Sequence, residues 1–155
     1  MKKAKLLLMV LSPILIGLLF NNFLLFIPLF IYIAPFLMIV YWFWVGTKFT
    51  ENVKNPIKAI VLANSIGIIS LALYYWQFVI VADKERNLIL AGFSQMFTAP
   101  FSYITARIGF IFEQTPNEIT QVTTLVMQVT GLILMIIVFF SGYFYKKNHL
   151  KQHIN

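Results

Sequence analysis

The sequence predicts an all-α integral membrane protein, a four-transmembrane-helix bundle with an extracellular amphipathic or re-entrant helical segment. Three observations predict this class. Of the 155 residues, 60% are hydrophobic and 11% are charged, whereas about a quarter of the residues in soluble domains are charged. The apolar residues form long blocks that contain almost no charge, which suits lipid as the solvent. The lysines and arginines collect between these blocks and at the two termini.

The first two spans come from one apolar stretch that runs from Leu6 to Val45. At about 1.5 Å per residue this stretch is too long for one membrane helix and suits two. The polar pair Asn21-Asn22, followed by Pro28, predicts the turn between them. We therefore expect spans near 6–22 and 28–45, joined as a helical pair.

The third and last spans are predicted from the signals that begin them. Asn55-Pro56 is typical of a helix N-cap followed by proline at the first helical position, and it predicts a span over 57–82. Thr115-Pro116-Asn117-Glu118 combines a capping threonine, a proline and the glutamate of a capping box. It predicts a span over 116–145, which at about 45 Å exceeds the hydrocarbon core and must tilt or project from it.

The segment 87–112 is apolar but interrupted, and it admits two topologies. Its polar and small residues recur at helical spacing, and Pro100 divides it into two pieces too short to span a membrane. We expect a helix, a break and a helix on the outer leaflet rather than a fifth span. The segment either caps the bundle or presents a surface to a partner, and the candidate interaction surface consists of Gln95, Thr98, Ser102 and Arg107.

Positive charges favour the four-span topology. With four spans the positive residues divide nine to three between the two sides, and with five spans they divide six to five with Arg107 left in the membrane. Cytoplasmic segments of membrane proteins are enriched in Lys and Arg, so both termini are expected in the cytoplasm of a multi-pass cell-membrane protein. The nine are Lys2, Lys3, Lys5, Lys48, Lys54, Lys58, Lys146, Lys147 and Lys151, and the three are Lys84, Arg86 and Arg107.

Two sets of small and polar residues predict helix packing within the spans. Ala59, Ala63 and Gly67 repeat every four residues and form a small face that another helix can approach closely. In the last span Gln121, Thr124 and Gln128 fall on one face. We interpret both sets as packing contacts, and a polar pocket remains the alternative.

Several function classes are disfavoured by composition. The absence of cysteine excludes disulfides, thiol redox chemistry and cysteine metal sites. No Asp, Glu, Lys, Arg or His lies between Leu6 and Val45, between Ala59 and Ala82, or between Ile119 and Tyr145, which argues against a proton relay within the spans. His149 and His153 could share a helix face, but two ligands alone make a weak metal site, so no metal or cofactor is expected. Topology accounts for the basic charge, so no nucleic acid is expected either.

These observations predict a non-enzymatic protein. The outer side offers carboxylates but no histidine that could act as a base beside them. The leading hypothesis is a small membrane protein that acts through protein contacts, as an accessory subunit of a membrane complex or as an immunity-type protective protein. Its partners would be the lipid bilayer and another membrane protein or a second copy. The alternative is a small permease subunit that forms a substrate path as an oligomer.

Overall fold

A computed structural model describes residues 2–113 and 120–152, and within these ranges the chain contains helices and no strand. Four helices are long and apolar enough to cross a membrane, which confirms the predicted class at this level. The helices are α1 (Lys2–Phe26), α2 (Phe30–Thr50), α3 (Pro56–Tyr75), α4 (Leu88–Met96), α5 (Ser102–Gly109) and α6 (Gln121–Gln152).

The two ends of the bundle are identified by the segments that meet there. Lys5 of α1 borders a surface cleft with Lys48 and Glu51 at the end of α2. The hydroxyl of Tyr143 in α6 lies 2.7 Å from the carbonyl oxygen of Val53, in the connection between α2 and α3. The first turns of α1, this connection and the last turns of α6 therefore share one end, here called the terminal end. The opposite end, called the loop end, holds the remaining connections.

The first helix is longer than the sequence predicts. The expected turn at Asn21-Asn22 is wrong, because α1 continues to Phe26 and the turn lies at residues 27–29. The Asn22 amide donates to the carbonyl oxygen of Leu18 at 2.8 Å, and the Asn21 amide donates to the sulfur of Met96 at 3.2 Å. Both side chains thus find hydrogen-bond partners without interrupting the helix.

A proline inside α1 connects this helix to α2. Pro13 has no N–H and cannot donate to the carbonyl oxygen of Met9. The Ser12 hydroxyl donates to that carbonyl at 2.7 Å instead. The Tyr41 hydroxyl of α2 in turn donates to the Ser12 oxygen at 2.6 Å. A backbone defect that would otherwise be unfavourable in lipid is therefore satisfied by side chains.

The predicted start of α3 is confirmed. The Asn55 side chain accepts a hydrogen bond from the Lys58 N–H at 3.1 Å, with Pro56 at the first position. The helix ends in a π turn, Trp76–Ile80, short of the predicted residue 82.

The last helix, α6, is described from Gln121 onward, and the predicted cap at Thr115 to Glu118 lies outside the described residues. At its described start, a carboxylate oxygen of Glu113 accepts hydrogen bonds from the Thr120 N–H at 3.1 Å and from the Thr123 hydroxyl. A negative charge at this position also suits the positive end of the helix dipole.

Aromatic packing fills the terminal half of the bundle, where α2 and α6 lie side by side. A Cβ atom added to Gly142 would overlap the carbonyl oxygen of Phe43, and one added to Gly46 would overlap that of Phe139. The two backbones therefore touch. The fully buried side chains beside this contact are Trp42, Phe49, Phe139 and Tyr143.

Candidate functional site

The helices α4 and α5 form a helical hairpin, residues 88–109, that begins and ends at the loop end. Its tip reaches the middle of the bundle, where the Phe97 ring stands perpendicular to the Trp42 ring with centroids 6.2 Å apart. Thr98 lies against Gly131, which is about 15 Å along α6 from the loop end. The predicted order of helix, break and helix is thus present, and the tip of the hairpin lies inside the bundle. The position of this segment on the outer leaflet stays a prediction.

Glycines on three spanning helices receive the hairpin. A Cβ atom on the first would overlap the Met96 carbonyl oxygen, on the second the Phe97 ring, and on the third it would lie 2.7 Å from the Thr98 Cβ. Only a hydrogen atom fits at each position, so the hairpin backbone can approach closely. These glycines are Gly17 of α1, Gly67 of α3 and Gly131 of α6.

The small face of α3 contributes to this contact. Ala59 and Ala63 are fully buried, and Gly67 is buried next to the side chains of Phe97 and Leu132. Gly67 therefore lies in close contact with both the hairpin and α6. The regular spacing on α3 indicated a close contact but not which element makes it.

The polar stripe of the hairpin faces inward. Ser94, Thr98 and Thr105 are buried, whereas Leu88 and Ile89 are largely exposed. At these positions the stripe therefore packs against the other helices of the bundle. Small side chains allow the hairpin to lie close to its neighbours, while large apolar ones project outward, where lipid would cover them. Phe97 and Phe101 are exceptions, since they fill the bundle centre beneath the break.

At the break, side chains satisfy backbone and polar groups. The Thr98 hydroxyl donates to the side-chain oxygen of Gln128 in α6. The Thr98 carbonyl oxygen accepts the Phe101 N–H at 2.9 Å, and the Thr105 hydroxyl donates to the Phe101 carbonyl oxygen at 3.1 Å. At the start of α4, Asn87 caps the helix N–H groups. Such internal pairing lets an irregular backbone lie at membrane depth.

A polar cavity of about 160 Å³ lies between the hairpin, α1 and α6. Every polar side chain that lines it is an uncharged amide or hydroxyl. The volume equals that of about five water molecules in the liquid. Because Asn21 and Leu24 lie closer to the loop end than Phe20, the cavity extends from the break toward that end. Its lining residues are Phe20, Asn21, Leu24, Gln95, Thr98, Ala99, Ser102, Thr105, Met127 and Gln128.

The structure divides both sets of residues predicted from the sequence. Gln95, Thr98 and Ser102 of the predicted surface join Gln128 of the predicted packing set around the polar cavity. Arg107 is exposed and separate from it. The other two members of the packing set also lie elsewhere: Thr124 accepts a hydrogen bond from the Tyr74 hydroxyl, and Gln121 is exposed.

A second cavity, of about 310 Å³, is almost entirely apolar and lies between α1 and α2. Pro100 of the hairpin break closes one side of it. The residues that line it are Ile16, Leu19, Phe20, Phe23, Phe30, Ala34, Leu37, Met38, Tyr41 and Pro100. Phe20 lines both cavities, so the two adjoin at this residue.

Sequence reasoning missed two contributors to these cavities. Asn21 appeared to be part of a turn, and Phe20 was one of many apolar residues in a span. A single sequence gives no signal for either role, because each depends on the hairpin folding back against α1.

No family model, curated protein or solved structure matches the chain. Among the described residues, no group of three His, Cys, Asp or Glu side chains could hold a metal ion. His149 is exposed beside Tyr145 near the end of α6, and His153 lies outside the described residues.

Proposed function

We propose that the chain is a non-enzymatic, multi-pass cell-membrane protein that holds a small uncharged polar molecule in the polar cavity, as the substrate-binding subunit of a permease. The observation that carries this proposal is the convergence of Gln95, Thr98, Ser102 and Gln128 around one cavity at the hairpin break. Broken helices at membrane depth occur where irregular backbone lines a cavity, and transporters place their binding sites there.

The orientation belongs to the same proposal. With both termini in the cytoplasm, the terminal end carries nine positive residues and the loop end carries three. The polar cavity then extends toward the outer surface. The fully buried aromatic side chains of the terminal half lie beneath the break, so the cavity takes up solute from outside in this conformation.

The uncharged lining defines the class of ligand. An ionised molecule in this cavity would lose its hydration without gaining an opposite charge, which is strongly unfavourable. A neutral amide or polyol can exchange hydrogen bonds with the hydroxyls of Thr98 and Ser102 and with the amides of Gln95 and Gln128. The volume limits the part of a ligand that lies in this cavity to a few non-hydrogen atoms.

The test uses the absence of native cysteine. In intact cells, the Ser102→Cys variant should react with a membrane-impermeant thiol reagent added outside. Acetamide at about 100 mM should slow that reaction severalfold, because a ligand this small binds weakly and must be abundant. Thr98→Val in the same background should remove the protection, since it replaces a hydroxyl with a methyl group of similar size.

The matched control is Gln121→Cys, which places the thiol on the exposed start of α6 outside the cavity. Its reaction should proceed from outside and should not respond to acetamide. If Ser102→Cys reacts only after the membrane is opened, the proposed orientation fails. If acetamide slows neither or both thiols, the proposed ligand site fails.

A second candidate function, contact with another membrane protein, is favoured by one exposed cluster at the loop end. The Arg107 guanidinium lies 4.9 Å from the centre of the Tyr103 ring, and Tyr103 packs edge-on against Tyr32 with centroids 4.7 Å apart. Protein interfaces are enriched in Tyr and Arg. This candidate expects stoichiometric co-purification of a different membrane protein in mild detergent, and loss of that association on changing Arg107.

A further inference from the structure

We infer that the ligand of the polar cavity is an uncharged amphiphile from the bilayer, whose polar head occupies the polar cavity and whose hydrocarbon tail occupies the apolar cavity. This inference rests on the proposed function and identifies its ligand. The class is a single-chain molecule with a hydroxyl head, such as a long-chain alcohol.

The two cavities adjoin at Phe20 and at the hairpin break. Ala99 lines the polar cavity and the adjacent Pro100 lines the apolar one. Phe20 borders both, is nearly fully buried, and has its ring 5.9 Å from that of Phe30 on the apolar side. A molecule that passes the Phe20 ring would place one end in each cavity.

The apolar cavity opens sideways toward the surrounding lipid. Leu19 and Phe23 of α1 and Leu37 of α2 line it and are each about half exposed, at 52%, 48% and 55%. Water gains few hydrogen bonds in a cavity with this lining, and cavities of this kind bind hydrocarbon instead. The occupant that the bilayer supplies at this depth is an acyl or alkyl chain, which can enter between α1 and α2.

The head group is defined by the polar side. Thr98, Ser102 and Gln128 offer hydroxyl and amide groups, and no residue that lines this cavity carries a charge. A phosphate or carboxylate head would be buried without a cation, so ordinary phospholipids and fatty acids fit poorly. A hydroxyl head can both donate to and accept from these groups. The structure therefore selects a neutral head attached to one chain.

The probe is a diazirine-bearing long-chain alcohol, added to the purified chain in nanodiscs and activated by light. Mass spectrometry should locate the label on residues 16–23 of α1 and 34–41 of α2, and an unlabelled alcohol should compete with it. The Ala34→Phe variant should remove most of the labelling, because Ala34 lines the apolar cavity and a phenyl ring would fill it. Leu37→Trp at the mouth is a second blocking variant should Ala34→Phe not fold.

Two controls separate this site from ordinary lipid contact. Ala72→Phe introduces the same ring into an exposed apolar groove between α3 and α6, and labelling of α1 and α2 should not change. A diazirine fatty acid of equal length, with a carboxylate head, should label the site far less than the alcohol does. Thr98→Val should weaken the alcohol's binding about fivefold, which corresponds to one neutral hydrogen bond.

The outcomes distinguish this inference from the proposed function. Equal labelling by alcohol and fatty acid, or labelling that ignores both Thr98→Val and the blocking variants, would overturn the inference. Protection of Ser102→Cys by acetamide would in that case still support a small-solute site. Loss of both the head-specific labelling and the acetamide protection would overturn the two proposals together.

Discussion

In the terminal half of the bundle, α2 and α6 touch through Gly46 and Gly142, and four aromatic side chains fill the space beside this contact. In the loop half, the hairpin separates the spanning helices, hydrogen bonds such as that between Thr98 and Gln128 replace part of the apolar packing, and two cavities remain. The two halves are built from the same four helices, but their interiors differ in chemistry.

The difference bears on the proposed function, because within the described residues only the interior of the loop half has room for a ligand. Close backbone contact and aromatic packing leave no room for a ligand, and they hold the helices in fixed positions. A broken backbone with polar side chains gives up packing and leaves hydrogen-bonding groups that a ligand can use. Rigid structure beneath an open site is what a binding protein needs, because the site then keeps its shape. Substitutions at four places in the bundle test this division.

The largest expected effect comes from Gly142→Ala in the terminal half. The new methyl group would overlap the carbonyl oxygen of Phe43, and a backbone atom cannot move without shifting α2. We expect a loss of about 3 kcal/mol in the free energy of unfolding, and a much lower thermal midpoint in detergent.

The control for this substitution is Gly92→Ala on the outer side of α4. A Cβ atom there meets nothing within 4 Å, and alanine favours a helix over glycine by about 1 kcal/mol. The midpoint should therefore stay the same or rise slightly. Equal midpoints for the Gly142 and Gly92 variants would mean that α2 and α6 are not in close contact.

A smaller loss is expected from Gly67→Leu, which changes the contact between α3 and the hairpin. The added side chain would meet the ends of the Phe97 and Leu132 side chains, which can shift where a backbone cannot. We expect about 2 kcal/mol of destabilisation. Displacement of Phe97 should also change the rate at which Ser102→Cys reacts with a thiol reagent. An unchanged midpoint and an unchanged rate would place this face of α3 toward lipid.

The spanning helices could be predicted from the sequence because their signals are local. Hydrophobic length predicted four spans, and the Asn55-Pro56 pair predicted the start of α3 through a hydrogen bond that forms within one turn. The prediction of a turn at Asn21-Asn22 was wrong because it also used only local sequence. An amide pair in an apolar stretch suggests a turn, but the Asn21 amide finds a partner in Met96, which is distant in the sequence, and the helix continues.

The position of the hairpin could not be predicted for the same reason. The polar stripe of 87–112 was visible, yet a stripe alone does not show whether water or other helices cover it. Gly17, Gly67 and Gly131 decide this by making room for the hairpin, and each lies in a different span. The candidate residues Gln95, Thr98 and Ser102 line one cavity together, and that cavity depends on contacts between elements that a single sequence does not show.

A moderate effect is expected from the hydrogen bond at the hairpin break. Thr98→Val leaves the Gln128 oxygen without its donor, and Gln128→Leu removes the acceptor. Each change should lower the free energy of unfolding by about 1 to 2 kcal/mol. The double variant should lose less than the sum, with a coupling of about 1 kcal/mol. Strictly additive losses would show that the two side chains do not interact, which would contradict the hydrogen bond between the hairpin and α6 at this cavity.

The smallest effect on stability is expected from Arg107→Ala at the loop end. Arg107 is exposed, and its contacts are with the neighbouring Tyr103 ring and hydroxyl. Removing it should change the free energy of unfolding by less than about 0.5 kcal/mol. This variant is useful because it distinguishes the two candidate functions without disturbing the polar cavity. Lys84→Ala is the matched control, since Lys84 is also a positive residue at this end.

If Arg107→Ala leaves the acetamide protection of Ser102→Cys intact and no co-purifying protein is lost, the polar cavity is the functional site. If a stoichiometric partner disappears from Arg107→Ala but remains with Lys84→Ala, the exposed cluster of Tyr32, Tyr103 and Arg107 is an interface. Arginine side chains at interfaces make planar contacts with aromatic rings, which a lysine cannot reproduce fully. Arg107→Lys should then restore only part of the association, whereas full restoration would reduce the role of Arg107 to its charge.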